Sequence, residues 1–183
     1  MSRPRALGTM AESAVVAFLR DNGFLQAERR SLNGSLDKGD VTGTPGLCWE
    51  VKYANGGIRM ASWVTQTEVE RLNSKSDFGI LVIKPRGLGA RTTGKWYAVM
   101  AAGSHDELLA RAPGVCLTLG PYRYTAATLP VELKKVSLMS SPVAAITVTP
   151  PGSFDLPLQH YRVMYLADMV KLVRAAGYGD PIS

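Results

Sequence analysis

The amino-acid sequence predicts an α/β domain: a mixed central sheet with helices packed on it, continued by a C-terminal α+β extension. One sign is an amphipathic stripe near the N-terminus, Ala11, Val15, Phe18 and Leu19, which ends at Asp21-Asn22-Gly23. Another is a helical segment over 62–73 that lies between two strand-like runs, LCWEVKY (Leu47–Tyr53) and FGILVIK (Phe78–Lys84). The second run is almost continuously apolar, as a strand buried on both faces is, and a helix joining two strands marks a crossover unit.

Each element has its own signals. Thr9 stands three residues before Glu12, a capping-box spacing that predicts a helix over 10–21. Residues 24–29 read as a short strand and 30–38, rich in Ser, Asn and Gly, as a loop. Residues 40–43 and 47–53 read as two strands joined by Thr44-Pro45-Gly46, a β-hairpin. Ser62 is the expected cap of the next helix. After the strand at 78–84 comes a Gly-rich basic loop, PRGLGARTTGK, then a strand over 95–100 and a short helix over 104–111. Residues 112–160 carry only scattered β-like runs, VCLTL and AAITV, between turn signals, and the tail reads as a strand end leading into a helix closed by Gly177. Residues 1–100 are the expected core, with 101–183 an extension packed on it or continuing it.

Composition narrows the function classes. A chain of 183 residues, 46% hydrophobic with a mean hydropathy of +0.01, suits one folded domain. No apolar run approaches the roughly 20 residues that cross a bilayer, and MSRPRALGTMAE lacks the apolar core of a signal peptide. The expected location is cytoplasmic, the host cytoplasm if the protein is viral, with no membrane partner. Two distant thiols, Cys48 and Cys116, indicate neither a disulfide framework nor a zinc site. A formal charge of +6 and a pI near 9.5 favour a polyanionic partner.

The segment GDVTGTPGLCWEVK concentrates the chemistry. If Pro45 centres a three-residue loop, Gly43 faces Leu47, Thr42 faces Cys48, and Asp40 faces Glu50. Opposed residues have Cβ atoms roughly 4.5–5.5 Å apart, so two like charges stand side by side unless a cation lies between them. Period-2 alternation puts Cys48, Glu50 and Lys52 on one face and Leu47, Trp49 and Val51 on the other. Two carboxylates, with water and the Val51 carbonyl, make an all-oxygen shell suited to Mg²⁺, with Mn²⁺ as a substitute. Such an ion polarises a phosphate oxygen and acidifies a water, while Lys52 orients that water or neutralises developing charge. The plain alternative is a hairpin with solvated charges and a Glu50–Lys52 pair.

The order Glu12, Asp40, Glu50-Val51-Lys52, Gln66 resembles the PD-(D/E)XK nucleases, in particular the archaeal-type and phage Holliday junction resolvases, over about residues 7–84. The resemblance implies a restriction-endonuclease-like sheet. It also implies a Glu on the first helix acting in the outer shell of the metal, an Asp opening a strand, a Glu-x-Lys on the next strand, and a polar residue on the following helix. It further implies DNA as substrate, four-way junctions specifically, and a homodimer that nicks opposed strands. Glu12 is either only the capping acid or also a site residue, and Gln66 either a site residue or an exposed helix residue. Asp37 could stand in for Asp40, but only Asp40 falls opposite Glu50 in the expected register.

Arg86, Arg91 and Lys95 in the basic loop, and Arg29, Arg30 and Lys38 before Asp40, read as two banks of a phosphate-binding channel. The alternative is a solvated loop. His105 reads as a first-turn surface residue after Ser104, and His160 is isolated. There is no GxSxG and no GxxxxGK[ST] pattern. Competing readings are a repair or restriction-like nuclease, a non-catalytic DNA-binding protein, and a structural protein whose charge is incidental.

Overall fold

A computed structural model describes residues 3–31, 37–54, 57–115, 122–125, 144–148 and 159–181. Helix α1 (Arg3–Asp21) leads to two short strands, β1 (Glu28–Arg29) and β2 (Val41–Thr42). Strand β3 (Leu47–Tyr53), helix α2 (Met60–Ser74) and strand β4 (Phe78–Lys84) follow, then a short 3-10 helix (Ala90–Lys95), β5 (Tyr97–Ala101) and α3 (Ala102–Arg111). The described remainder is β6 (Tyr122–Thr125), β7 (Ala144–Val148), β8 (Gln159–Tyr165) and α4 (Leu166–Ala175).

Among the described residues the main sheet has six strands in the order β3-β4-β5-β8-β7-β6. The β3–β4 and β6–β7 pairs are parallel and the other neighbours antiparallel, so the sheet is mixed. Helix α2 is the crossover between β3 and β4, as the sequence predicts. Strand β8 lies beside β5, and the C-terminal segment therefore continues the sheet that β3, β4 and β5 begin.

Strand alternation sorts the core into two layers. Leu47, Trp49 and Val51 join Phe78, Ile80 and Val82 on one face, beneath Val15 and Leu19 of α1, Leu108 of α3 and Met169, Val170 and Val173 of α4. Leu81, Ile83, Tyr97, Val99 and Val163 face the other way, against Met60 and Val64 of α2. β3 is an edge strand of this sheet, and that edge positions the site.

Several sequence expectations change. The 40–53 hairpin does not form as a ladder: β2 pairs antiparallel with β1, Glu28 opposite Thr42 and Arg29 opposite Val41. Gly43 decides this. Its φ is +77°, and a Cβ there would stand 1.7 Å from the Gln26 carbonyl oxygen, so only glycine lets this segment lie against the chain at 26–27. The Leu47 N–H turns back to the Thr44 carbonyl at 3.0 Å instead of facing Gly43.

The capping boxes also give way to longer helices. α1 begins at Arg3, with Thr9 inside it and its carbonyl accepting the Ser13 hydroxyl at 2.9 Å, so Glu12 is not a capping acid. α2 begins at Met60, and the Ser62 hydroxyl donates back to the Arg59 carbonyl at 3.1 Å rather than capping. α3 begins at Ala102, which carries His105 past the first residue and onto the same inner face as Leu108. His105 is therefore 2% exposed, not a surface residue. The 24–29 strand shrinks to β1, and the basic loop coils into the 3-10 helix at its end. AAITV forms β7, whereas VCLTL falls outside the described residues after Val115, as does Cys116.

Candidate active site

The site is built on the open edge of β3. In a strand, a residue turns its N–H and C=O to the same edge, and successive residues alternate. Even-numbered residues of β3 face β4, a pattern that continues in the 3.1 Å bond from the Ala54 N–H to the Lys84 carbonyl. Trp49 and Val51 therefore turn their main-chain groups outward. The Trp49 carbonyl accepts the Asp40 N–H at 2.8 Å, and the Val51 N–H donates to Asp40 Oδ2 at 2.8 Å. The Asp40 carbonyl accepts the Arg30 N–H at 2.8 Å on its other side. Asp40 is thus held by backbone from both neighbours without a hairpin ladder, and the Val51 carbonyl faces the same edge.

Gly39 allows this approach. Its φ is +84°, and a Cβ would meet the Trp49 carbonyl oxygen at 2.8 Å and Cys48 Sγ at 2.9 Å. A side chain there would push Asp40 off the strand.

On the α2 face of β3, Glu50 is 3% exposed. Its Oε1 receives the Lys52 ammonium in a tight ion pair, and the Gln66 Nε2 donates to the same oxygen at 3.1 Å. Gln66 Nε2 also donates to Glu70 Oε1 at 2.6 Å. Glu70 is 1% exposed, one turn along α2. On α1, Glu12 Oε2 accepts from Arg29 Nε at 2.9 Å and Nη2 at 2.7 Å.

The electrostatics follow from burying several acids around one ammonium. Burial pushes the Asp40 pKa up to about 8, the Glu50 charge pushes in the same direction, the Val51 N–H opposes, and Glu12 adds to the rise. Burial likewise raises Glu50 to about 7, with Lys52 opposing and Glu70 assisting. Glu70 is raised by burial, against the hydrogen bonds it shares with Glu50 and Gln66. For Lys52 burial disfavours the charge, but Glu50 and Asp40 outweigh it and the pKa rises. The cluster carries more carboxylates than Lys52 can balance.

The structure thus brings Glu12, Asp40, Glu50, Lys52 and Gln66 into one neighbourhood. Asp37 does not replace Asp40: its carbonyl accepts the Asn73 amide at 2.8 Å and its Oδ1 takes the Gly39 N–H at 3.4 Å. Glu70 was invisible to motif reasoning. Its one signal is the four-residue spacing from Gln66, which puts both on one helix face. Of the expected phosphate contacts, Arg29 is engaged by Glu12 and is not a free cation. Arg30 is half-buried, with its Nε lacking a hydrogen-bond partner, and Lys38, Arg86, Arg91 and Lys95 are exposed.

The donor chemistry fits a hard divalent cation. Asp40 and Glu50 are oxygen donors held in a protonation balance that a cation would tip to the charged form, and the Val51 carbonyl faces the same edge. Among the described residues no group of three or more His, Cys, Asp or Glu side chains is placed so that it could hold a metal ion. An ion held here would take most of its shell from water, as Mg²⁺ commonly does. No family model, no curated protein and no solved structure matches this chain.

Proposed function

We propose that the chain is a metal-dependent endodeoxyribonuclease of the PD-(D/E)XK type with a restriction-endonuclease-like core. The observation that carries the proposal is the joining of Asp40, Glu50 and Lys52 at the edge of β3, where Asp40 takes the Val51 N–H and Glu50 takes Lys52. When bound, Mg²⁺ or Mn²⁺ supplies neutralisation of the phosphate and a more acidic water. Asp40, Glu50 and the Val51 carbonyl would hold the ion. Lys52, already charged beside Glu50, orients the attacking water and balances negative charge that develops on the phosphate. Gln66 keeps Glu50 in place. Glu12 contributes charge behind Asp40 and is itself steadied by Arg29. The exposed Lys38, Arg86, Arg91 and Lys95 track the DNA backbone, with Arg30 beside Asp40 through its main-chain bond.

The substrate preference rests on the family resemblance: four-way junctions cut by paired nicks from a homodimer. The test is a cleavage panel of labelled junction, duplex and single-stranded DNA with Mg²⁺, Mn²⁺ or a chelator. Metal-dependent nicks near the branch point, under competition with duplex, are the expected result. Equal cutting of duplex would move the reading to a repair or restriction-like nuclease, and binding without cleavage of any substrate would leave a DNA-binding protein.

A further inference from the structure

We infer that Glu70 is a positioning residue that locks the Gln66 amide and, through it, the orientation of the Glu50 carboxylate. The inference rests on the nuclease reading for what the site does and on side-chain geometry alone for what Glu70 does. A glutamine amide has two donors on its nitrogen and one acceptor oxygen. Gln66 Nε2 lies 2.6 Å from Glu70 Oε1 and 3.1 Å from Glu50 Oε1. Both partners are carboxylate oxygens, so the nitrogen must face them. The flipped amide would set its own oxygen against two acceptors. Both donors are then spent, and the amide has one orientation.

The consequence reaches Glu50. Gln66 and Lys52 converge on Oε1 of Glu50, so its Oε2 is the oxygen that neither donor holds. Asp40 and Glu70 also share hydrogen bonds with the Glu50 carboxyl, so its orientation decides how it meets the other acids and any cation between them. Without Glu70, Gln66 would keep only its longer bond, on a side chain with three rotatable torsions. Glu70 itself sits at a cost: it is 1% exposed and its Oε2 is buried without a donor. The other inward positions of α2, Met60, Val64 and Thr67, are all uncharged, so packing alone does not call for an acid here.

The test uses the full chain and four variants: Glu70→Leu, Glu70→Gln, Glu70→Asp and Gln66→Leu, with the double Gln66→Leu/Glu70→Leu. The first readout is the Gln66 side-chain amide in the NMR spectrum of the metal-free protein, which needs no enzymatic activity. In the wild type both amide protons are expected to be protected from solvent exchange. Protection falls in Glu70→Leu and survives in Glu70→Gln, which keeps an acceptor oxygen. The second readout is Mg²⁺-dependent DNA cleavage. Glu70→Leu is expected to lower kcat about 10–100-fold with KM within about twofold, and to cost much less in the Gln66→Leu background, where only its direct contact with Glu50 is left to lose. If Glu70→Leu fails to fold, Glu70→Asp withdraws the acceptor by one methylene and carries the same expectations. An unchanged Gln66 amide in the leucine or aspartate variant overturns the inference, as does an undiminished kcat loss in the Gln66→Leu background. If the wild type cuts no DNA, the nuclease reading fails and the amide result alone decides the role of Glu70.

Discussion

Asp40→Asn exchanges a carboxylate for a neutral isostere at the point where burial and the charges of Glu50 and Glu12 act together. The Asn oxygen can still accept the Val51 N–H that now reaches Asp40 Oδ2 at 2.8 Å, so the backbone clamp survives. In the metal-free wild type, Asp40 is raised from 3.8 to about 8. A raised acid binds its proton more tightly in the folded than in the unfolded chain, so its folding contribution is intact below pH 3.8 and worsens as pH climbs to about 8. At about 1.4 kcal/mol per pH unit, the wild-type penalty by pH 8 has a ceiling of about 6 kcal/mol. The buried amide costs about 1–3 kcal/mol of desolvation in return. We therefore expect the variant to exceed the wild type by about 2–4 kcal/mol at pH 8, and to match it or fall slightly below at pH 4. Urea unfolding followed by circular dichroism at pH 4, 6 and 8, in chelator, reads this directly. Added Mn²⁺ at pH 8 should stabilise the wild type more than the variant. A wild-type-to-variant difference that stays constant from pH 4 to 8 would refute the crowded-acid reasoning. Wild-type cleavage by Asp40→Asn, or equal Mn²⁺ affinity, would remove Asp40 as a ligand.

Lys52→Ala should abolish cleavage while leaving Mn²⁺ bound, which a metal titration separates from the Asp40→Asn result. It should also cost up to about 3 kcal/mol of stability at pH 8, because the buried Glu50 loses its counter-charge, and less at pH 5, where Glu50 is protonated. Mn²⁺ affinity of the wild type, measured by isothermal titration, should tighten steadily from pH 6 to 9 as Asp40 and Glu50 give up protons more readily; a flat profile would exclude these acids as ligands. DNA affinity should fall linearly with salt on a log-log plot, with Arg86→Ala and Arg91→Ala weakening all sequences alike. Arg29→Ala should act differently from these two, since it also releases Glu12.

Much of the chain's local order was legible as pattern. Phe78–Lys84 is hydrophobic at every position except Gly79 and Lys84, as a strand buried on both faces is, and β4 occupies those residues. The alternation in LCWEVKY sorted Trp49 and Val51 from Glu50 and Lys52, and the two layers of the core follow that sorting. The grouping of the candidate residues was legible in the same way: an acid before a strand, Glu-x-Lys within it, and Gln66 on the next helix are local facts. The capping boxes misled, because a cap marks a helix start only when the preceding residues cannot themselves be helical. Residues from Arg3 onward can be, and Pro4 in the first turn forfeits no intrahelical bond.

The sequence by itself determined which side chains share a strand face and which segments must be buried, since both depend on periodicity and on the transfer of apolar groups from water. Only the tertiary structure decided which strand lies beside which. β2 turned to β1 because Gly43 admits the Gln26 carbonyl where a Cβ cannot stand, and Asp40 still reached β3 because Gly39 admits the Trp49 carbonyl. The pairings of Arg29 with Glu12 and of Gln66 with Glu50 likewise came from packing α1 and α2 on opposite faces of the sheet. A pair's energy depends on the burial of both partners and on the distance between them, and those quantities exist only once the layers have closed.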